Sequence, residues 1–135
     1  MTRAPSVFAL TRIGQIAVTV HDLDRAVAFY GDKLGMTFLF QAPNLAFFDC
    51  AGVRLMLSVP EKSEFDHPGS VIYYTVDDIQ GAYATLSGCG VAFLGQPHRV
   101  AKMPDHDLWM AAFKDVDGNT LALMSAAIGL SIVLG

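Results

Sequence analysis

Charge is scarce in this chain. Of its 135 residues only 16% are Asp, Glu, Lys or Arg, and the nine Lys and Arg form no run. Proteins that hold nucleic acid neutralise phosphates with clustered cations. That class is excluded, and a formal net charge of −4 agrees. Cysteine is also scarce. Cys50 and Cys89 are the only two and have no metal-motif spacing, so neither a disulfide framework nor a zinc ribbon is expected. A reduced cytoplasmic chain with both thiols packed fits better. Long apolar runs are missing as well, because none reaches the roughly 18 residues that a membrane span needs. The opening MTRAPSVFALTR holds only a short apolar patch, ended by Arg12, which is too short for a secretory signal. No Gly-rich phosphate loop, nucleophile elbow or Cys–His signature occurs. The length suits a single domain over 1–135. Hydrophobic residues reach 53% and mean hydropathy is +0.40. That excess points to extra buried surface, most simply a homodimer interface, and the apolar end AAIGLSIVLG is expected to pack on the domain or on a partner subunit.

An internal repeat organises the rest. IAVTVHDLDRAVAFYGDKLGMTFL from Ile16 aligns with IYYTVDDIQGAYATLSGCGVAFL from Ile72, and GVRLML from Gly52 aligns with GNTLAL from Gly118. In each half a β-rich run ends in Thr-Val. An acidic residue, Asp22 or Asp78, then stands at a good N-cap position. A helix with apolar residues at helical intervals follows, ended by Gly35 or Gly90. Three strands come next, expected over 36–41, 45–50 and 53–59 in the first half and over 91–99, 108–114 and 120–125 in the second. The spacing thus predicts an α+β fold of two tandem βαβββ units. Unit one covers about 13–59, a linker 60–69, unit two about 70–125, and an apolar tail 126–135. Alternation assigns the faces. Ile16, Val18 and Val20 pack on the helix, while Gln15, Ala17 and Thr19 face a concave cleft. By the repeat, Val71, Tyr73 and Thr75 face it too, as do Arg54, Met56 and Ser58 and their counterparts Thr120, Ala122 and Met124.

The motifs VTVHDLDRAVAFYGDKLGM, FFDCAGVRLMLS, YYTVDDI and FKDVDGNTLALM, duplicated and in this order, resemble the vicinal-oxygen-chelate superfamily. That superfamily holds the glyoxalases, bleomycin-resistance proteins and extradiol dioxygenases. The resemblance implies curved mixed sheets around a concave cleft, often with a divalent metal on four positions of the first and last strands. Carried over residue by residue, these positions are Gln15, Met56, Val71 and Ala122. Gln15 is an allowed ligand, Met56 offers a soft thioether, and Val71 and Ala122 offer nothing. No metal or other cofactor is therefore expected. The resemblance to drug-sequestering members implies a small molecule bound in a cleft lined by Gln15, Met56, Val71, Tyr73 and Ala122, with Arg54 at its rim, in a dimer that shares clefts. A glyoxalase-like lyase or isomerase is the alternative, a dioxygenase a weaker one.

Among the remaining residues, Arg54 reads either as an anchor for a ligand carboxylate or phosphate or as a strand-end charge in water. Tyr73 reads as a cleft residue or as core. Trp109, Phe47 and Phe113 are read as core before cleft wall, and Tyr74 as core. His21 and His67 read as solvated. Asp105, His106 and Asp107 set two carboxylates beside an imidazole. His106 is the catalytic candidate should that loop fold over the cleft.

Overall fold

The structure is a computed structural model that describes residues 8–102, 104 and 107–126, the side chains of 65 and 126 excepted. Unit one opens with β1 (Gln15–Thr19), in which apolar Ile16 and Val18 alternate with Gln15, Ala17 and Thr19. Asp22 caps α1 (Leu23–Ala28), its side chain accepting from the Arg25 N–H at 3.2 Å. The helix widens into a π turn, Phe29–Lys33, with the Leu34 N–H reaching back to the Phe29 carbonyl at 3.0 Å. Gly35 then turns the chain at φ +75°, a left-handed conformation that a Cβ disfavours. β2 (Thr37–Ala42), β3 (Leu45–Cys50) and β4 (Val53–Ser58) complete a sheet of order β1-β4-β3-β2, in which β1 runs parallel to β4 and the other pairs are antiparallel.

Unit two repeats the plan. A short 3₁₀ turn, Ser63–Phe65, lies in the linker. β5 (Ile72–Thr75) leads to α2 (Ile79–Gly88), capped by Asp78 through the Gly81 N–H at 3.0 Å. The single strand expected over 91–99 is divided into β6 (Ala92–Phe93) and β7 (His98–Lys102). Gly95 and Pro97 lie at the break, and proline has no N–H to give a ladder. β8 (Asp107–Lys114) and β9 (Thr120–Ala126) follow, in the order β5-β9-β8-β6, with β5 parallel to β9 and β7 paired to β8.

The helix-covered faces of both sheets share one core. Val20, Phe29, Tyr30, Phe48, Leu55 and Leu57 from unit one meet Ile79, Val91, Phe113, Leu121 and Leu123 from unit two. Alternation then turns the opposite faces away from that core. In β4, Leu55 and Leu57 are buried while Arg54 is exposed and Met56 half-buried. Phe113 is core, as expected, and Trp109 and Tyr74 pack against it half-buried. One expectation fails. Cys89 is exposed, because it is the C-cap of α2, and only Cys50 is half-buried.

Candidate functional site

The predicted site residues fall into two groups. On sheet one, register aligns Gln15 with Arg54 and Asp49 in one row, and Ala17 with Met56, Phe47 and Phe40 in the next. Gln15, Arg54 and Met56 are brought together. The Arg54 Nε donates to the Gln15 Oε1 at 3.0 Å, and the Gln15 amide nitrogen lies 3.7 Å from the Met56 sulfur. The Arg54 guanidinium sits 5.0 Å from the Phe47 ring centroid, a cation–π distance. Phe47 in turn stacks on Phe40, with centroids 4.4 Å apart and planes at 25°. Among the described residues no carboxylate pairs with Arg54. Asp49, its register partner, turns instead to the Gly52 N–H at 3.2 Å. The Arg54 side chain is thus held at Nε and over the Phe47 ring, although the residue is exposed.

On sheet two, Tyr73 is 51% exposed and Val71 41%, so Tyr73 is not core. Ala122 is a correction, since it is fully buried and presents no surface to a ligand. Its methyl is held on the middle strand between the register partners Tyr73 and Ala112, too short to emerge between them. Among the described residues no hydrogen bond or ion pair joins this group to Gln15, Arg54 or Met56. Val71 lines a separate cavity of about 460 Å³ at the seam of the units, between β1, residues 68–72 and the turn 118–121. A second cavity of about 560 Å³ lies on the helix side, between Lys33–Gly35 and α2. Gln15, Arg54 and Met56 line neither. His106 and Asp105 lie outside the described residues.

Two polar clusters escaped sequence reading. Tyr30, in the π turn of unit one, donates its hydroxyl to Asp115 Oδ2 of unit two at 2.7 Å, and both residues are buried. Asp115 also accepts from the Asp117 and Asn119 N–H groups at 2.8 and 2.9 Å and from the Asn119 amide at 2.8 Å. The Asn119 amide reaches the Thr19 carbonyl at 2.8 Å. Burial, and then the Asp115 charge, push the Tyr30 hydroxyl pKa well up, so it stays protonated and keeps donating. The other cluster centres on His21. Its ring nitrogens meet Asp66 at 2.8 Å and Asp117 at 3.2 Å, and its backbone N–H donates to Asp117 at 2.8 Å. The hydrogen bond to Asp66 and that carboxylate's charge, then Asp117, raise the imidazole pKa. His21 is exposed, as expected, and from the surface it bonds both the linker and the β8–β9 turn. Both its ring nitrogens are engaged, and among the described residues no His, Cys, Asp and Glu group is arranged to hold a metal ion.

Two βαβββ units that share a core and turn their remaining sheet faces outward define the architecture. The sequence profile of the Glyoxalase/Bleomycin resistance protein/Dioxygenase superfamily matches residues 12–123, and the chain belongs to that superfamily. The uncharacterized protein YetH of Bacillus subtilis (strain 168) is 27% identical over 124 residues, which covers 84% of this chain and 98% of YetH. A solved member of the superfamily from Sphaerobacter thermophilus DSM 20745 superposes with a TM-score of 0.69 at 27% identity, covering 86% of this chain and 98% of that one. TnmS3, an antibiotic binding protein from Streptomyces sp. CB03234, superposes with a TM-score of 0.70 at 25% identity, covering 89% of this chain and 99% of TnmS3. Among the described residues, no helix is long and apolar enough to cross a membrane.

Proposed function

We propose that this protein binds a small organic molecule on the sheet faces turned away from its core, without a divalent metal. The observation that carries this reading is the engagement of Gln15. Its amide oxygen, the one hard donor at the four family positions, accepts from Arg54. A cation held there would sit beside a guanidinium with no ion-pair partner among the described residues. Two unit charges about 4 Å apart repel by about 4 kcal/mol at an effective dielectric of about 20, and a divalent ion doubles that to about 8 kcal/mol. The thioether of Met56 adds no hard ligand. An arginine bonded on one edge and packed on an aromatic ring is instead a recognition element for an organic ligand. The likeness to TnmS3 supports the same reading. A homodimer is part of it. Both sheets present exposed groups, and a second copy would bring such faces together.

A thermal-shift panel of planar antibiotics, cationic antibiotics and aromatic acids tests the reading. A ligand at 100 times its Kd stabilises by about 2.7 kcal/mol, which a melting curve resolves. No shift across the panel sinks it. The rival, a proton-transfer lyase or isomerase, depends on His106, and turnover abolished by His106→Ala would favour it instead.

A further inference from the structure

Among the described residues, the sheet-one cluster has one cationic group without a carboxylate and one exposed ring, that of Phe40. Arg54 is oriented twice over, through Nε to Gln15 and through its plane to Phe47. With Nε engaged, the terminal NH₂ groups are the donors left to a ligand, and such a pair matches a carboxylate in a two-pronged contact. Phe40 stacks on the far part of the same wall and remains 46% exposed. Row alignment sets Phe40, Phe47 and Met56 side by side and Arg54 one row along, on the strand that carries Met56. A rigid, flat molecule bearing an acid at one end therefore spans cation and aromatic wall together. A cationic drug meets the guanidinium with the wrong sign. A flexible alkyl acid gains the charge contact but not the ring contact.

We infer that the ligand is a planar aromatic carboxylate, its acid group held by Arg54 and its ring laid against the exposed Phe40, with the buried Phe47 as the support beneath both. This rests on the small-molecule reading above and narrows it, with Gln15 as the positioning residue that aims Arg54.

Isothermal titration of the full-length protein with 2-naphthoate, 2-naphthamide, 2-naphthylmethylammonium and hexanoate tests it. The acid should bind at least about 10-fold tighter than its neutral amide, the scale of charge-assisted hydrogen bonds. Hexanoate should be weaker than naphthoate, and the ammonium weakest of the naphthyl probes. Arg54→Met should remove the preference for acid over amide, because the neutral side chain no longer distinguishes a carboxylate from an amide. Arg54→Lys keeps the charge but not the fork, and should recover only part of the preference. Phe40→Ala should weaken acid and amide alike. The wild-type comparison of acid with amide needs no variant, so misfolding of a variant leaves it intact. Equal or tighter binding of the amide or the ammonium overturns the ligand class while leaving the small-molecule reading in place. Unchanged naphthoate binding in a folded Arg54→Met protein overturns the assignment to Arg54. If no naphthyl probe binds, the inference fails, and the broader antibiotic panel then decides the parent reading by itself.

Discussion

Replacing Tyr30 with phenylalanine should cost this domain about 1.5–2 kcal/mol, the lower part of the range for a hydrogen bond to a charged group. The lower part applies because Asp115 is not orphaned. It keeps the Asp117 N–H, the Asn119 N–H and the Asn119 amide at 2.8 to 2.9 Å. The lost contact is nonetheless a 2.7 Å bond to a buried carboxylate, and it joins the helix layer of one unit to the last hairpin of the other. For a domain of this size the loss corresponds to a Tm lower by roughly 5–8 °C. Asp115→Ala should cost more, about 3 kcal/mol, because it leaves the buried Tyr30 hydroxyl and the part-buried Asp117 and Asn119 N–H groups without this acceptor. Calorimetric melting of the two single variants and the double variant completes a cycle. In the Asp115→Ala background, Tyr30→Phe should be nearly neutral. A Tyr30→Phe protein that melts within about 1 °C of wild type, or one whose loss is the same with and without Asp115, would refute the argument that this bond couples the units.

Two further outcomes are expected. His21 gains two carboxylate partners on folding, so its folded pKa lies above the ordinary value of 6.5. Its stabilisation is then fully present below about pH 6.5 and lost as pH rises through the raised folded pKa. The Tm gap between wild type and His21→Gln should accordingly be widest in mild acid and narrow in alkali, and a gap that widens with pH would contradict the sign. Elemental analysis of untagged protein after incubation with Ni²⁺, Zn²⁺, Mn²⁺ or Fe²⁺ should find metal well below one equivalent, whereas a full equivalent removed by a chelator would overturn the metal-free reading.

Much of the scaffold was written in local chemistry. Asp22 and Asp78 cap helices because a carboxylate can satisfy an N–H three residues on, and both do. Gly35, Gly52, Gly90 and Gly118 all take positive φ, which marks the turns in each unit. Alternation in β1 and β4 separated core from open face, so Gln15, Arg54 and Met56 could be assigned to one face from parity and the repeat. These signals act within a few residues, or within one pleat, and survive in a linear reading. What only the tertiary structure decided are the contacts made by distant segments. The Tyr30–Asp115 bond spans 85 positions and the His21–Asp117 bonds 96, so no local pattern announces them. Ala122 shares the outward parity of its neighbours, yet flanking strands bury it. The role of Arg54 was undecided in the sequence for the same reason. Whether a strand-end arginine trails into water or stands braced between Gln15 and Phe47 depends on register across three strands, and register is a property of the folded sheet.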